Sequence, residues 1–120
     1  MKILIVDDSR VMRTIINRAL RQAGFDAHPV SEASDGLAAM AAIETDPPGL
    51  VLVDWNMPQM SGMELLRTLR NRGNSVPFGF VTASASPQMR YQAQQAGALF
   101  LIAKPFTTEA FTEALADVLG

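Results

Sequence analysis

Short stretches in which nearly every residue is apolar alternate along this chain with stretches whose apolar residues recur at helical spacing. The run over 2–6, carrying Ile3-Leu4-Ile5-Val6, predicts a strand. Val11, Met12, Ile15, Ile16, Ala19, Leu20 and Ala23 then share one helix face, which Gly24 ends. A weaker strand is expected over 27–33. Leu37, Ala38, Met40, Ala41, Ala42 and Ile43 predict a second helix, stopped by Pro47-Pro48. Leu50 to Val53 is a third strand, and Met63, Leu65, Leu66 and Leu69 give a third helix face. Val76 to Val81 reads as a fourth strand. Ser86-Pro87 places a cap before a proline at the first helical position, and the helix it opens ends at Gly97. Leu99 to Ala103 is a fifth strand. Thr107 or Thr108 caps a last helix with Glu109 in its first turn and Phe111, Ala114, Leu115 and Val118 as its buried stripe.

Five strands thus alternate with five helices, (βα)5. Strands without polar alternation are buried on both faces, as in a parallel sheet covered by helices on each side, a doubly wound α/β fold. Right-handed crossovers bring all strand C-termini to one edge, and ligands of such sheets bind beyond that edge.

With 120 residues the chain is sized for one domain, spanning 1–120. A content of 48% hydrophobic and 18% charged residues suits a globular fold. Apolar runs of about four residues fall far short of the roughly 20 that span a bilayer, so no membrane insertion is expected. The start lacks a secretory pattern, which favours a cytoplasmic protein. Cysteine is absent and His28 is the single histidine, so any metal must rest chiefly on oxygen. His28, in the weak second strand, reads as structural or solvated. A net charge of −2 with scattered Lys and Arg argues against direct nucleic-acid binding.

Chemistry gathers at the strand ends. Asp7 and Asp8 follow the first strand and Asp54 the third. Three converging carboxylates disfavour one another's ionised form unless a cation joins them, and a hard divalent ion such as Mg²⁺, with Mn²⁺ as a substitute, suits an oxygen-only set. Thr82 and Lys104, ending the fourth and fifth strands, add a hydroxyl and an ammonium fit for phosphate oxygens. A carboxylate nucleophile, a cation and an ammonium are what phosphoryl transfer needs, and an ionised carboxylate requires no general base.

Val6-Asp7-Asp8-Ser9, Asp54-Trp55-Asn56-Met57-Pro58, Ser61-Gly62, Val81-Thr82-Ala83 and Lys104-Pro105-Phe106 resemble the receiver family of two-component response regulators, over the whole chain. Asp54 to Pro58 with Gly62-Met63-Glu64-Leu65-Leu66 looks most like the family's single-domain chemotaxis regulators. The resemblance implies a flavodoxin-like fold of strand order 2-1-3-4-5. It also implies Asp54 as phosphoacceptor, and Mg²⁺ on Asp8, Asp54 and the backbone carbonyl of Asn56, with Asp7 acting through a metal-bound water. Lys104 would pair with Asp54 or its acyl phosphate, Thr82 would move toward the phosphoryl group, Lys104-Pro105 would be cis, and Gly62 would supply a turn conformation into the third helix. The chain would be no enzyme in the ordinary sense, but a phosphoacceptor assisting its own phosphorylation and dephosphorylation. Its donor would be a sensor histidine kinase, a phosphotransfer domain or a small-molecule donor.

One position departs from the pattern. The family usually has Tyr or Phe three residues before the lysine, and here Leu101 stands there. Phe100, one residue away, should face the opposite side of the strand. The switch is therefore expected to run through the loop after Thr82 and the helix from Ser86 to Ala96. Asn56 and Ser84, bordering the path of attacking water, predict an intermediate phosphorylation lifetime.

Met57, Met60 and Met63 are expected to plug gaps at the loop base, with an adaptable partner surface as the second reading. Arg10 and Arg13 border the pocket, where they either meet a kinase or stay solvated, and Trp55 can report metal binding. Tyr91, Gln94, Gln95, Leu101 and Phe106 lie on the family's output face for a downstream protein. Among rivals, a haloacid-dehalogenase-type phosphatase would want an acid where Asn56 stands, and a flavin binder would be repelled by Asp7-Asp8. The stronger rival is the receiver part of a longer regulator with a separate effector domain.

Overall fold

A computed structural model describes residues 1–119. Strands β1 (Ile3–Val6), β2 (Val30–Ala33), β3 (Leu50–Val53), β4 (Phe78–Thr82) and β5 (Phe100–Ala103) alternate with helices α1 (Arg10–Gln22), α2 (Gly36–Thr45), α3 (Gly62–Asn71), α4 (Pro87–Gln95) and α5 (Thr108–Leu119). All strand pairs are parallel, in the order β2-β1-β3-β4-β5. The expected architecture is the observed one.

Burial explains the strand compositions. Every residue of β1, β3 and β4 is buried, because these inner strands carry helices on both faces. The edge strands β2 and β5 are only partly covered. Leu4, Val6, Val51, Val53, Phe78 and Phe80 pack under the α2–α3 side, whereas Ile3, Ile5, Leu50, Leu52, Val81 and Ile102 meet α1 and α5. Alternation along each strand thus feeds two cores.

Several boundaries differ from the sequence expectation. The second strand begins at Val30, since residues up to His28 close a turn in which the His28 N–H donates to the Phe25 carbonyl at 3.1 Å and Pro29 has no N–H to give. β4 starts at Phe78 and takes in Thr82, which pairs with Ala103, while Val76 is held by the Asn74 side chain. β5 starts at Phe100. On α1 the buried face is narrower than expected: Ile16, Ala19 and Leu20 are buried, but Val11 is 69% and Ile15 40% exposed. Leu37 on α2 is likewise exposed.

Helix ends follow side-chain chemistry. Ser9, Asp35, Ser61 and Ser86 each accept a backbone N–H as N-caps, and Thr107 does so for α5. Gly24 and Gly97 sit at positive φ just beyond the ends of α1 and α4.

Candidate functional site

Asp7, Asp8 and Asp54 come together beyond the C-terminal ends of β1 and β3, which lie side by side in register with Val6 opposite Val53. Each offers a carboxylate oxygen within 4.8 Å of the others. Asp7 and Asp54 are buried and Asp8 is exposed. An oxygen-only set, open on one side and crowded with like charge, fits a hard cation.

Local bonds hold the acids in place. The Asp54 N–H donates to the Val6 carbonyl at 2.9 Å, and the Ser9 N–H donates to Asp7 Oδ1 at 2.9 Å. Arg13 donates through Nη1 to the Asp7 carbonyl at 2.6 Å and through Nε to Glu32 at 2.7 Å. Of the two readings for Arg13, kinase contact or solvated charge, the structure adds a third: it anchors the acidic turn. Arg10 is exposed at the pocket's rim.

Lys104 reaches across from the end of β5. Its Nζ donates to Asp7 Oδ2 at 3.1 Å and lies 3.7 Å from Asp54 Oδ2, so its hydrogen bond goes to Asp7 and Asp54 takes the longer ion pair. Burial is the main influence on Asp54 and raises its pKa. Lys104 opposes that, Asp7 adds to it, the Asn56 N–H opposes it and Asp8 adds to it. The Asn56 N–H donates to Asp54 Oδ1 at 3.4 Å. Lys104-Pro105 is cis.

Thr82, fully buried, accepts the Ser84 N–H on Oγ1 at 3.3 Å, which leaves its hydroxyl proton free to donate. Ser84 and Asn56 are both exposed beside the pocket.

Gly62 works differently from expectation. Its φ is not positive; Gln59 carries the positive φ of that loop, at 70°. A Cβ on Gly62 would lie 2.3 Å from the Asp54 carbonyl oxygen and 2.9 Å from the Phe80 ring, and its N–H donates to Trp55 O at 2.8 Å. Glycine is there for close approach. The Trp55 ring packs tilted against Phe80 with centroids 4.8 Å apart, and Met57 and Met63 are buried beneath the loop, while Met60 lies over Gly36. The methionines fill gaps, as the first of the two readings held.

Phe100 and Leu101 point to opposite faces. Phe100 covers Gly79, its register partner on β4, where a Cβ would meet the ring at 2.1 Å. Leu101 is buried on the α4 side and its carbonyl accepts from Arg90 Nη1 at 3.0 Å. Phe100 therefore cannot stand in for the missing aromatic. His28 lies far from the acids, before β2, with Nδ1 3.1 Å from the Met1 carbonyl.

A doubly wound sheet with this acid cluster, lysine and threonine on its C-terminal edge defines a phosphoryl-accepting switch, and residues 3–116 match the response regulator receiver domain: the chain belongs to that family. Chemotaxis protein CheY of Pseudomonas aeruginosa is 39% identical over 98% of this chain and 95% of its own length. CheY-3 of Vibrio cholerae is 40% identical over 96% and 88%. The solved structure of Vibrio cholerae CheY4 superposes with a TM-score of 0.84 at 30% identity, covering 98% of this chain and 97% of that one. The chain is a CheY-like, phosphorylation-dependent signalling switch of a two-component system. Such receivers work between histidine kinases and downstream targets.

Proposed function

We propose that Asp54 is the phosphoacceptor of a stand-alone cytoplasmic regulator that uses Mg²⁺, with Mn²⁺ able to replace it, and that its relatives' chemotaxis role extends to this chain. The observation that carries this reading is the convergence of Asp7, Asp8 and Asp54 within 4.8 Å, with Lys104 Nζ 3.7 Å from Asp54. Asp8, Asp54 and the Asn56 carbonyl would hold the ion, with Asp7 acting through water. The ion supplies neutralisation of phosphoryl charge.

An Asp54 carboxylate oxygen attacks the phosphorus of a phosphohistidine or of acetyl phosphate. An O–P bond forms as the bond to the donor breaks, and the donor leaves with that electron pair. Lys104 offsets the added charge, and Thr82 donates its hydroxyl proton to a phosphoryl oxygen. The rearrangement passes through the exposed residues after Thr82 into α4, without an aromatic at position 101. Asn56 and Ser84, small and exposed, neither shut out nor strongly orient attacking water, which gives an acyl phosphate of intermediate lifetime.

The donor domain docks on the start of α1, where Arg10 and Val11 are exposed just after the acidic turn of Asp7 and Asp8. The downstream protein binds around Tyr91, Leu101 and Phe106, along the cavity of about 470 Å³ that Arg90, Leu101 and Phe106 help to line.

Intact mass after incubation with acetyl phosphate tests the chemistry. A labile gain of one phosphoryl group requiring both Mg²⁺ and Asp54 is expected. A gain that survives Asp54→Asn, or that persists in chelator, would overturn the assignment. Trp55 fluorescence should change on Mg²⁺ titration and lose that response in Asp8→Asn.

A further inference from the structure

At the end of the molecule away from the acid cluster, the C-terminal halves of α3 and α4 scarcely touch and leave an open cavity of about 350 Å³ between them. Arg67, Arg70 and Asn71 form one wall, and Tyr91, Gln92 and Gln95 the other. Among the described residues neither arginine has a carboxylate within ion-pair distance. The nearby acids are committed elsewhere: Glu64 closes the capping box of α3 with Ser61, and Glu44 pairs with Arg72. α4 contributes no acid of its own.

Arg70 is positioned as well as charged. Its Nη1 donates to the Asn74 carbonyl at 3.0 Å and its Nη2 to the Gly97 carbonyl at 3.1 Å. Two of its five N–H groups are thereby used and three remain for a ligand. Arg67 is exposed, and among the described residues it engages no other side chain by a hydrogen bond or ion pair, so its guanidinium is available to a ligand.

We propose that this α3–α4 groove is a second binding site, separate from the Asp54 pocket, which takes an acidic peptide segment of a partner protein. Two guanidiniums match carboxylates in bidentate fashion. The amides of Asn71, Gln92 and Gln95 both donate and accept, as a peptide backbone requires, and the exposed Tyr91 offers a ring and a hydroxyl. A small phosphate would use the guanidiniums alone, whereas a peptide also pairs with the amides of both walls. The groove is open in the unphosphorylated chain, so peptide binding is expected without phosphorylation of Asp54.

Fluorescence anisotropy of a labelled hexaglutamate peptide tests this on the unphosphorylated chain. Binding should weaken with salt and fall about tenfold or more in Arg67→Glu and in Gln92→Glu, both exposed changes that leave the thermal melt in place. Arg18→Glu, exposed on α1 outside the groove, should bind like the wild type. Absence of peptide binding, equal binding by the groove variants and the wild type, or equal loss in Arg18→Glu would overturn the proposal. Pyrophosphate binding that Arg67→Glu abolishes, without peptide binding, would make the groove a small-anion site instead and overturn it too.

Discussion

Asp54 and Thr82 end adjacent strands, yet the chain that follows each is held very differently. After Asp54 the loop is tied by the Gly62 N–H to Trp55, filled by Met57 and pressed on α2 by Met60. It leads into α3, which buries Gly62, Met63, Leu65, Leu66 and Leu69 behind a capping box. After Thr82 come the exposed Ala83, Ser84 and Ser86, and then α4, whose one buried residue is Ala93. The Asp54 half is fixed and the Thr82 half beside it is loosely anchored. A few new bonds at Thr82 can move α4 at small cost, whereas moving α3 would open the core.

The contrast can be broken by mutation. Leu66→Ala should cost about 2–5 kcal/mol in denaturant unfolding, because a fully buried side chain leaves a cavity. Gly62→Ala should cost roughly 1–3 kcal/mol, since its methyl meets the Asp54 carbonyl rather than a yielding side chain. Tyr91→Ala on α4, by comparison, should stay within about 0.5 kcal/mol of the wild type, as its side chain is largely in solvent. A large loss in Tyr91→Ala would mean that α4 is anchored after all.

A smaller effect sharpens the electrostatic side. With its pKa raised in the folded state, Asp54 favours folding when protonated and opposes it once ionised. Its contribution is thus fully present below the ordinary carboxylate range and lost as pH rises through the folded-state value. In chelator, Asp54→Asn should therefore unfold at a higher temperature than the wild type near neutral pH, and the gap should close on acidification. A variant less stable at neutral pH would show that Lys104 outweighs burial at this carboxylate.

The fold was legible because the inner strands are apolar at every position, a pattern that burial on both faces demands. The acid cluster was legible because topology alone sends Asp7, Asp8 and Asp54 to one sheet edge. Edges were less readable. β2 is half covered and carries Ser31 and Glu32, so its start was blurred by the turn at His28. Val11 and Ile15 fit a helical stripe, but only contact with the sheet and α5 decides how wide the buried stripe is. The bond from Arg13 to Glu32 and the covering of Gly79 by Phe100 join residues far apart in the chain and leave no local signal. The capping box Ser61-x-x-Glu64 did have a sequence signature. Gly62 looked like a turn glycine, whereas the neighbouring backbone is what excludes a side chain there.

Amide hydrogen exchange of wild type and Asp54→Asn, each with acetyl phosphate and Mg²⁺, tests the central claim most directly. The account predicts changed protection across residues 83–97 in the wild type only, with α3 unaltered in both proteins. Equal changes in both proteins, or changes centred on α3, would contradict it.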